Sequence, residues 1–139
     1  MKISTKGRYA LRVMVDLAEN SEGNYIAMKE IANRQQISLK YLEKILPVLV
    51  KNRFIEGTSG KGGGYKLTKQ PNQYKVGKIL ELVEGSLAPV ECIKNGGLMC
   101  LHYSECRTLT LWKNLDKVVN DYLNSVLLSD LMQKKQLVV

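Results

Sequence analysis

The sequence holds a single histidine, His102, in 139 residues. No serine or cysteine stands beside it on an elbow motif, so hydrolytic catalysis has no constellation to work with and the chain reads as a non-enzyme. No run of eighteen or more apolar residues occurs, which excludes a membrane-spanning helix. The amino terminus, MKISTKGRYALRVMVDLAEN, lacks the long apolar stretch and small-residue cleavage site of a secretion signal, so a cytoplasmic location is expected. The glycine-rich SGKGGG contains no Gly-Lys-Ser/Thr and runs into strand-forming residues, which rules out a nucleotide-binding loop. Cysteine is absent everywhere except 91–106, ECIKNGGLMCLHYSEC. In a reducing compartment such clustered thiols read as a metal or redox site.

What the chain does have is positive charge, unevenly spread. Of a net +8, residues 1–70 carry thirteen Lys or Arg against six Asp or Glu, and residues 71–139 carry eight against seven. A basic first half beside a balanced second half points to a polyanion as partner of the first.

Helical periodicity places Ala10, Leu11, Val13, Met14, Leu17 and Ala18 on one stripe of a helix over 5–20, with Arg8, Arg12, Asp16 and Glu19 off it. A short helix over 28–34 turns Ile31 and Ala32 inward, and Gln35–Ile37 form a tight turn. Ser38 caps the next helix, 39–52, whose core face is Leu42, Ile45, Leu46 and Leu49; Pro47 within it predicts a kink. Two strand-like runs, 54–57 and 65–68, flank the glycine-rich turn as a β-hairpin. Two helices joined by a tight turn and followed by a hairpin describe a winged helix-turn-helix. The fold class is therefore mainly α with a small β-hairpin.

A short helix over 76–83 follows, then the cysteine segment. A long helix over 108–126 comes next, and Ser129 caps a last short one. In the long helix Trp112, Leu115, Val119, Tyr122 and Val126 recur at three- and four-residue steps, a heptad seam that predicts a homodimer. The expected division is a DNA-binding domain at 1–84, a cysteine loop at 85–107, and a dimerisation helix with its cap at 108–139.

In such a fold the second helix enters the major groove of double-stranded DNA with its amino-terminal residues, here Ser38, Lys40, Tyr41 and Lys44. Ser59 and Lys61 form the wing tip, and Lys2, Lys6 and Arg8 near the start of the first helix suit phosphate contacts. Cys92, Cys100 and Cys106 are separated by seven and five residues, and Asn95-Gly96-Gly97 permits the loop to fold back. Three thiolates suit an iron–sulfur cluster, 2Fe-2S or 4Fe-4S. Its remaining position falls to His102, Glu91, Glu105, a partner residue or a small exogenous ligand. Zinc, a redox disulfide and inert thiols are the competing uses.

KISTKGRYALRVMVDLA, ISLKYLEKI, GKGGGYKL, VGKILELVEG, LWKNL and VLLSDL together resemble the IscR/NsrR/CymR family of bacterial winged-helix transcriptional regulators, in its three-cysteine, cluster-binding form. The resemblance covers nearly the whole chain. It implies a dimeric repressor or activator on a palindromic operator, with long helices crossing between subunits. It also implies a cluster on Cys92, Cys100 and Cys106 that senses cluster supply, iron, oxygen or nitric oxide, and the seven-residue gap resembles the nitric-oxide-sensing branch. Cysteine-poor members instead regulate sulfur metabolism, in part through a partner protein. The chain departs from the pattern at Leu109, where IscR-like members have histidine. It departs again at Arg8, where some nitric-oxide sensors have aspartate, and at Ser59, where IscR-like wings have arginine. An iron–sulfur electron or cluster carrier with a basic docking face is the alternative from another functional class.

Overall fold

The computed structural model describes residues 2–97 and 104–133, with backbone alone at 95–97. Helices α1 (Thr5–Asn20), α2 (Met28–Gln35) and α3 (Leu39–Lys51) precede a hairpin of β1 (Ile55–Thr58) and β2 (Gly64–Leu67). A 3-10 turn at Pro71–Gln73 leads to α4 (Val76–Glu84), and a 3-10 segment at Glu91–Gly97 carries the first cysteine. Helix α5 (Leu109–Ser125) and a one-turn α6 (Leu128–Leu131) complete the order.

The core forms where the predicted stripes meet. Ala10, Val13, Met14 and Leu17 of α1 pack with Ile31 of α2 and with Leu42, Ile45, Leu46 and Leu49 of α3. Helix α2 ends because Gln36 adopts a left-handed conformation, φ 54° and ψ 46°, which reverses the chain into α3. Helix α3 runs through Pro47 without interruption. The proline ring sits on the exposed side, where its missing N–H leaves no buried carbonyl unpaired.

The hairpin pairs Ile55 with Leu67 and Thr58 with Gly64. A third short rung comes from before α2, where Ile26 and Tyr65 exchange both backbone bonds at 2.8 Å. Gly64 sits at that junction with φ +153°, and a Cβ there would run into the Ile26 carbonyl. Only glycine fits. At the hairpin base the Tyr74 hydroxyl accepts N–H bonds from Thr68 (3.0 Å) and Lys69 (3.1 Å) and donates to the Phe54 carbonyl (2.7 Å). That one buried tyrosine orients the wing.

The carboxy-terminal part departs from the expected division. After α5 the chain returns to the winged body, where Val76 N–H donates to the Val126 carbonyl (2.8 Å) and Leu128 N–H to the Tyr74 carbonyl (2.9 Å). Leu128 is fully buried in the same core as α1 and α3. The segment after α5 is thus part of the winged domain's own packing. Ser129 is not the cap of α6 either; that place belongs to Leu127, whose N–H donates to the Asp130 carboxylate at 2.8 Å. We predict that Leu128→Ala lowers unfolding stability by about 2–5 kcal/mol. Urea denaturation checks this, and an unchanged midpoint would mean that the returning segment holds nothing in place.

Candidate nucleic-acid interface and cysteine loop

Helix α3 presents its first two turns outward. Ser38 is its N-cap, accepting the Tyr41 N–H at 3.1 Å through Oγ, so its hydroxyl hydrogen is free for an outside acceptor. Lys40 and Lys44 are exposed, and so is Glu43, a carboxylate on the same surface that sequence reasoning did not single out. Tyr41 is only half exposed. Its ring meets Tyr9 of α1 edge to face at 5.2 Å and carries the Lys44 ammonium 6.0 Å above its centroid. The Tyr41 ring therefore braces α3 against α1, and its hydroxyl end is what remains for contact.

Behind this surface lies a network that periodicity alone missed. Asp16, placed off the stripe by its polarity, is fully buried. Its carboxylate accepts two bonds from the Arg34 guanidinium, each 2.9 Å, and one from Gln35 Nε2 at 2.9 Å. The carboxylate in turn holds the Arg34 guanidinium in its charged form, above the usual arginine range. Arg12 stacks over Tyr9 at 5.1 Å and donates to Gln35 through both side chain and backbone carbonyl. These bonds satisfy the end of α2, from which α3 departs. A buried carboxylate is rare unless paired, and the only sequence signal was Asp16 sitting beside Val13 and Leu17 on the helix surface.

Ser59 and Lys61 are exposed at the wing tip on either side of Gly60, with glycines 60 and 62 at φ +88° and +80°. Lys2 and Arg8 are exposed and Lys6 half-buried at the start of α1, with the Arg8 guanidinium donating to Thr5 Oγ1 at 3.1 Å. That helix start is fixed from below. Glu84 of α4 accepts from both the Ser4 N–H (3.0 Å) and the Ser4 hydroxyl (2.5 Å), and a Cβ on Gly7 would strike the Glu84 carboxylate. The polar side chains expected to meet DNA thus lie on α3, the wing and the start of α1, all held to one core.

The long helix divides its predicted seam. Leu115 and Tyr122 belong to the outer face, but the uncovered apolar stripe is Leu111, Val118 and Tyr122, with Leu115 half-buried among them. Trp112 and Val119 are half-buried one position round. Val126 lies beyond the helix and packs with Leu123 against Val76, Leu80 and Leu87. The helix is apolar on two sides, one resting on its own domain and one open. The seam drawn from sequence ran between them.

Cys92 opens the 3-10 segment and Cys106 precedes α5; both are free and half-buried. Cys100 and His102 lie outside the described residues. Trp112 Nε1–H donates to Thr108 Oγ1 at 3.2 Å, and the same oxygen is 3.4 Å from Cys106 Sγ. Because the indole can only donate, the Thr108 hydroxyl proton is free to point at the sulfur. That bond, then the Thr108 and Leu109 backbone N–H groups at the start of α5, hold the Cys106 thiol below its ordinary range. Two soft thiols, Cys92 and Cys106, lie on the segment between α4 and α5, and thiols are the donor chemistry that an iron–sulfur group takes. Glu91 pairs with Lys94 at 3.3 Å and Glu105 is exposed. Among the described residues no three metal-ligating side chains converge.

Comparison with known proteins settles the lineage. The profile of Rrf2, described as an iron-dependent transcriptional regulator, matches residues 3–134. The chain belongs to the Rrf2 family. It is 36% identical over 135 residues to a putative HTH-type transcriptional regulator of Neisseria meningitidis, covering 97% of this chain and 90% of that one. It is also 36% identical over 136 residues to the regulator IscR of Pectobacterium atrosepticum, covering 98% and 82%. Among solved structures it superposes on CymR, the global cysteine regulator of B. subtilis, with a TM-score of 0.78 at 31% identity over 94% of this chain and 95% of that one. On T. potens IscR the TM-score is 0.74 at 33% identity, covering 94% and 85%. These relatives are transcriptional regulators, and the mainly helical fold with one hairpin is theirs. The Rrf2 chain is accordingly a DNA-binding transcriptional regulator, not an enzyme. Among the described residues no helix is long and apolar enough to cross a membrane.

For the cysteine end of the site we predict that, in metal-free protein, iodoacetamide labels Cys106 with a pH midpoint below that of an unstructured cysteine peptide. The sign follows from the depressed thiol: at any pH beneath the ordinary range more of it is thiolate, the reactive form. Thr108→Val should move the midpoint back up. Mass spectrometry of the labelled peptide reads both, and coincident midpoints in the two proteins would remove the Thr108 contact from the account.

Proposed function

We propose that the protein is a homodimeric regulator that binds a palindromic operator and reads iron–sulfur cluster status through Cys92, Cys100 and Cys106. Ser38, Lys40, Tyr41 and Lys44 enter the major groove, Ser59 and Lys61 approach from the wing, and Lys2, Lys6 and Arg8 meet phosphates. The open stripe of α5, which runs from Leu111 through Leu115 and Val118 to Tyr122, pairs with its copy in a second chain. A bound cluster supplies a centre that oxidants and nitric oxide attack. The chain's own part is to gather three thiolates on the loop that joins α4 to α5. The observation that carries the reading is the position of Cys106, just before the first turn of α5. Ordering or releasing the loop there changes the tilt of the helix that spaces the two winged domains.

A second reading, a metal-independent regulator of cysteine metabolism controlled by a partner protein, draws on the likeness to the B. subtilis cysteine regulator. Nothing comparable supports the cluster-carrier alternative, since the relatives named above are transcriptional regulators.

The test is protection of a palindromic DNA site together with its salt dependence. A dimer making on the order of 6–10 phosphate contacts should lose affinity with a log–log slope of roughly −5 to −9. A slope near zero would remove the DNA-binding claim. Alanine at each of Cys92, Cys100 and Cys106 should change occupancy of the site while the dimer persists in sedimentation. Dissociation of those variants to monomers would make the loop structural instead.

A further inference from the structure

Helix α3 opens on an exposed leucine that belongs to neither buried cluster. Leu39, its first residue, is 42% exposed, and it packs with neither apolar cluster of the described residues. The helix does not need it: Ser38 supplies the cap, and the buried face begins three residues later at Leu42. A single exposed leucine is ordinary on a protein surface. This one, however, stands between exposed Ser38 and Lys40 and one turn before exposed Glu43, on the turn of a recognition helix that reaches base edges.

Polar neighbours of that kind read hydrogen-bonding edges. Leucine has no donor or acceptor, and the one apolar group that base pairs offer in the major groove is the C5-methyl of thymine. We infer that Leu39 is a base-reading residue, covering a thymine methyl in each half of the operator. This deepens the DNA-binding reading and rests on it. The polar side chains beside Leu39 read donors and acceptors, whereas a leucine against a methyl reads the one feature of a base edge that they cannot. Its place on the first turn is fixed by the Ser38 cap and by the Tyr9–Tyr41 contact two residues on.

The experiment uses the full chain and a duplex that the protein selects from a random pool. Each thymine of the selected half-site is replaced in turn by uracil, which removes the methyl and nothing else. The wild-type protein should bind one such substituted duplex on the order of fourfold more weakly per half-site, roughly fifteenfold when both halves are changed. Leu39→Ala should bind the thymine and uracil duplexes equally, and Leu39→Met, which keeps an apolar tip, should retain most of the difference. Unchanged melting temperatures of both variants exclude misfolding as the cause. Wild-type indifference to every uracil, or a full thymine–uracil difference surviving in Leu39→Ala, would overturn the assignment while leaving the regulator intact. Failure to select any sequence at all would overturn the DNA-binding reading, and this assignment with it.

Discussion

Helix α5 is fastened at its carboxy-terminal end. Just past its carboxy terminus the backbone bonds Val76–Val126 and Tyr74–Leu128 stitch the chain to the start of α4, and Leu128 fills the central core. Its amino terminus carries Cys106, and the loop before it carries the other two cysteines. A rod held at its root transmits whatever happens at its tip. In the proposed mechanism these bonds, which make the carboxy-terminal segment part of the winged body, are what couple α5 to it. A helix joined only by a flexible linker would move without consequence for the DNA-binding face.

The DNA-facing side depends on a comparable fixture. Asp16 is a charge removed from water, and such a group is tolerated only when its oxygens are filled. Arg34 and Gln35 fill them. Breaking that set leaves a buried carboxylate unpaired, so the angle between α1 and α2 is held tightly, and the turn at Gln36 passes it on to α3. Glu84 does the same at the other end of α1, joining the helix start to α4 through Ser4. From α4 the connection continues to α5, where Gly77 admits Asn124 to within a distance that no side chain would allow. One path of close contacts thus runs from the root of α5 to the DNA-binding surface.

Much of this was legible in the order of residues. The stripes of α1 and α3, the cap at Ser38 and the glycine-rich wing appear where periodicity and turn chemistry placed them, because apolar burial and local capping decide them. Long-range polar pairing is decided by neighbours that the sequence does not bring together. That is why Asp16 was put on the solvent side, why Tyr74 went unremarked as the hub of the wing base, and why Val126 was assigned to a dimer seam. In α5 apolar residues fall on two adjoining faces, and a repeat pattern cannot separate the one used within the chain from the one left open. Of the three cysteines, the structure places Cys92 and Cys106 and gives Cys106 a thiolate-favouring setting; their clustering was readable, their electrostatics were not.

The central claim is that the three thiols hold an iron–sulfur cluster, and it is met most directly by iron and acid-labile sulfide per chain on protein purified without oxygen. The account predicts iron and sulfide in comparable amounts, with broad visible absorption that is lost when any one of Cys92, Cys100 or Cys106 is replaced by alanine. A colourless protein that binds its DNA and stays colourless after reconstitution with iron and sulfide would contradict it.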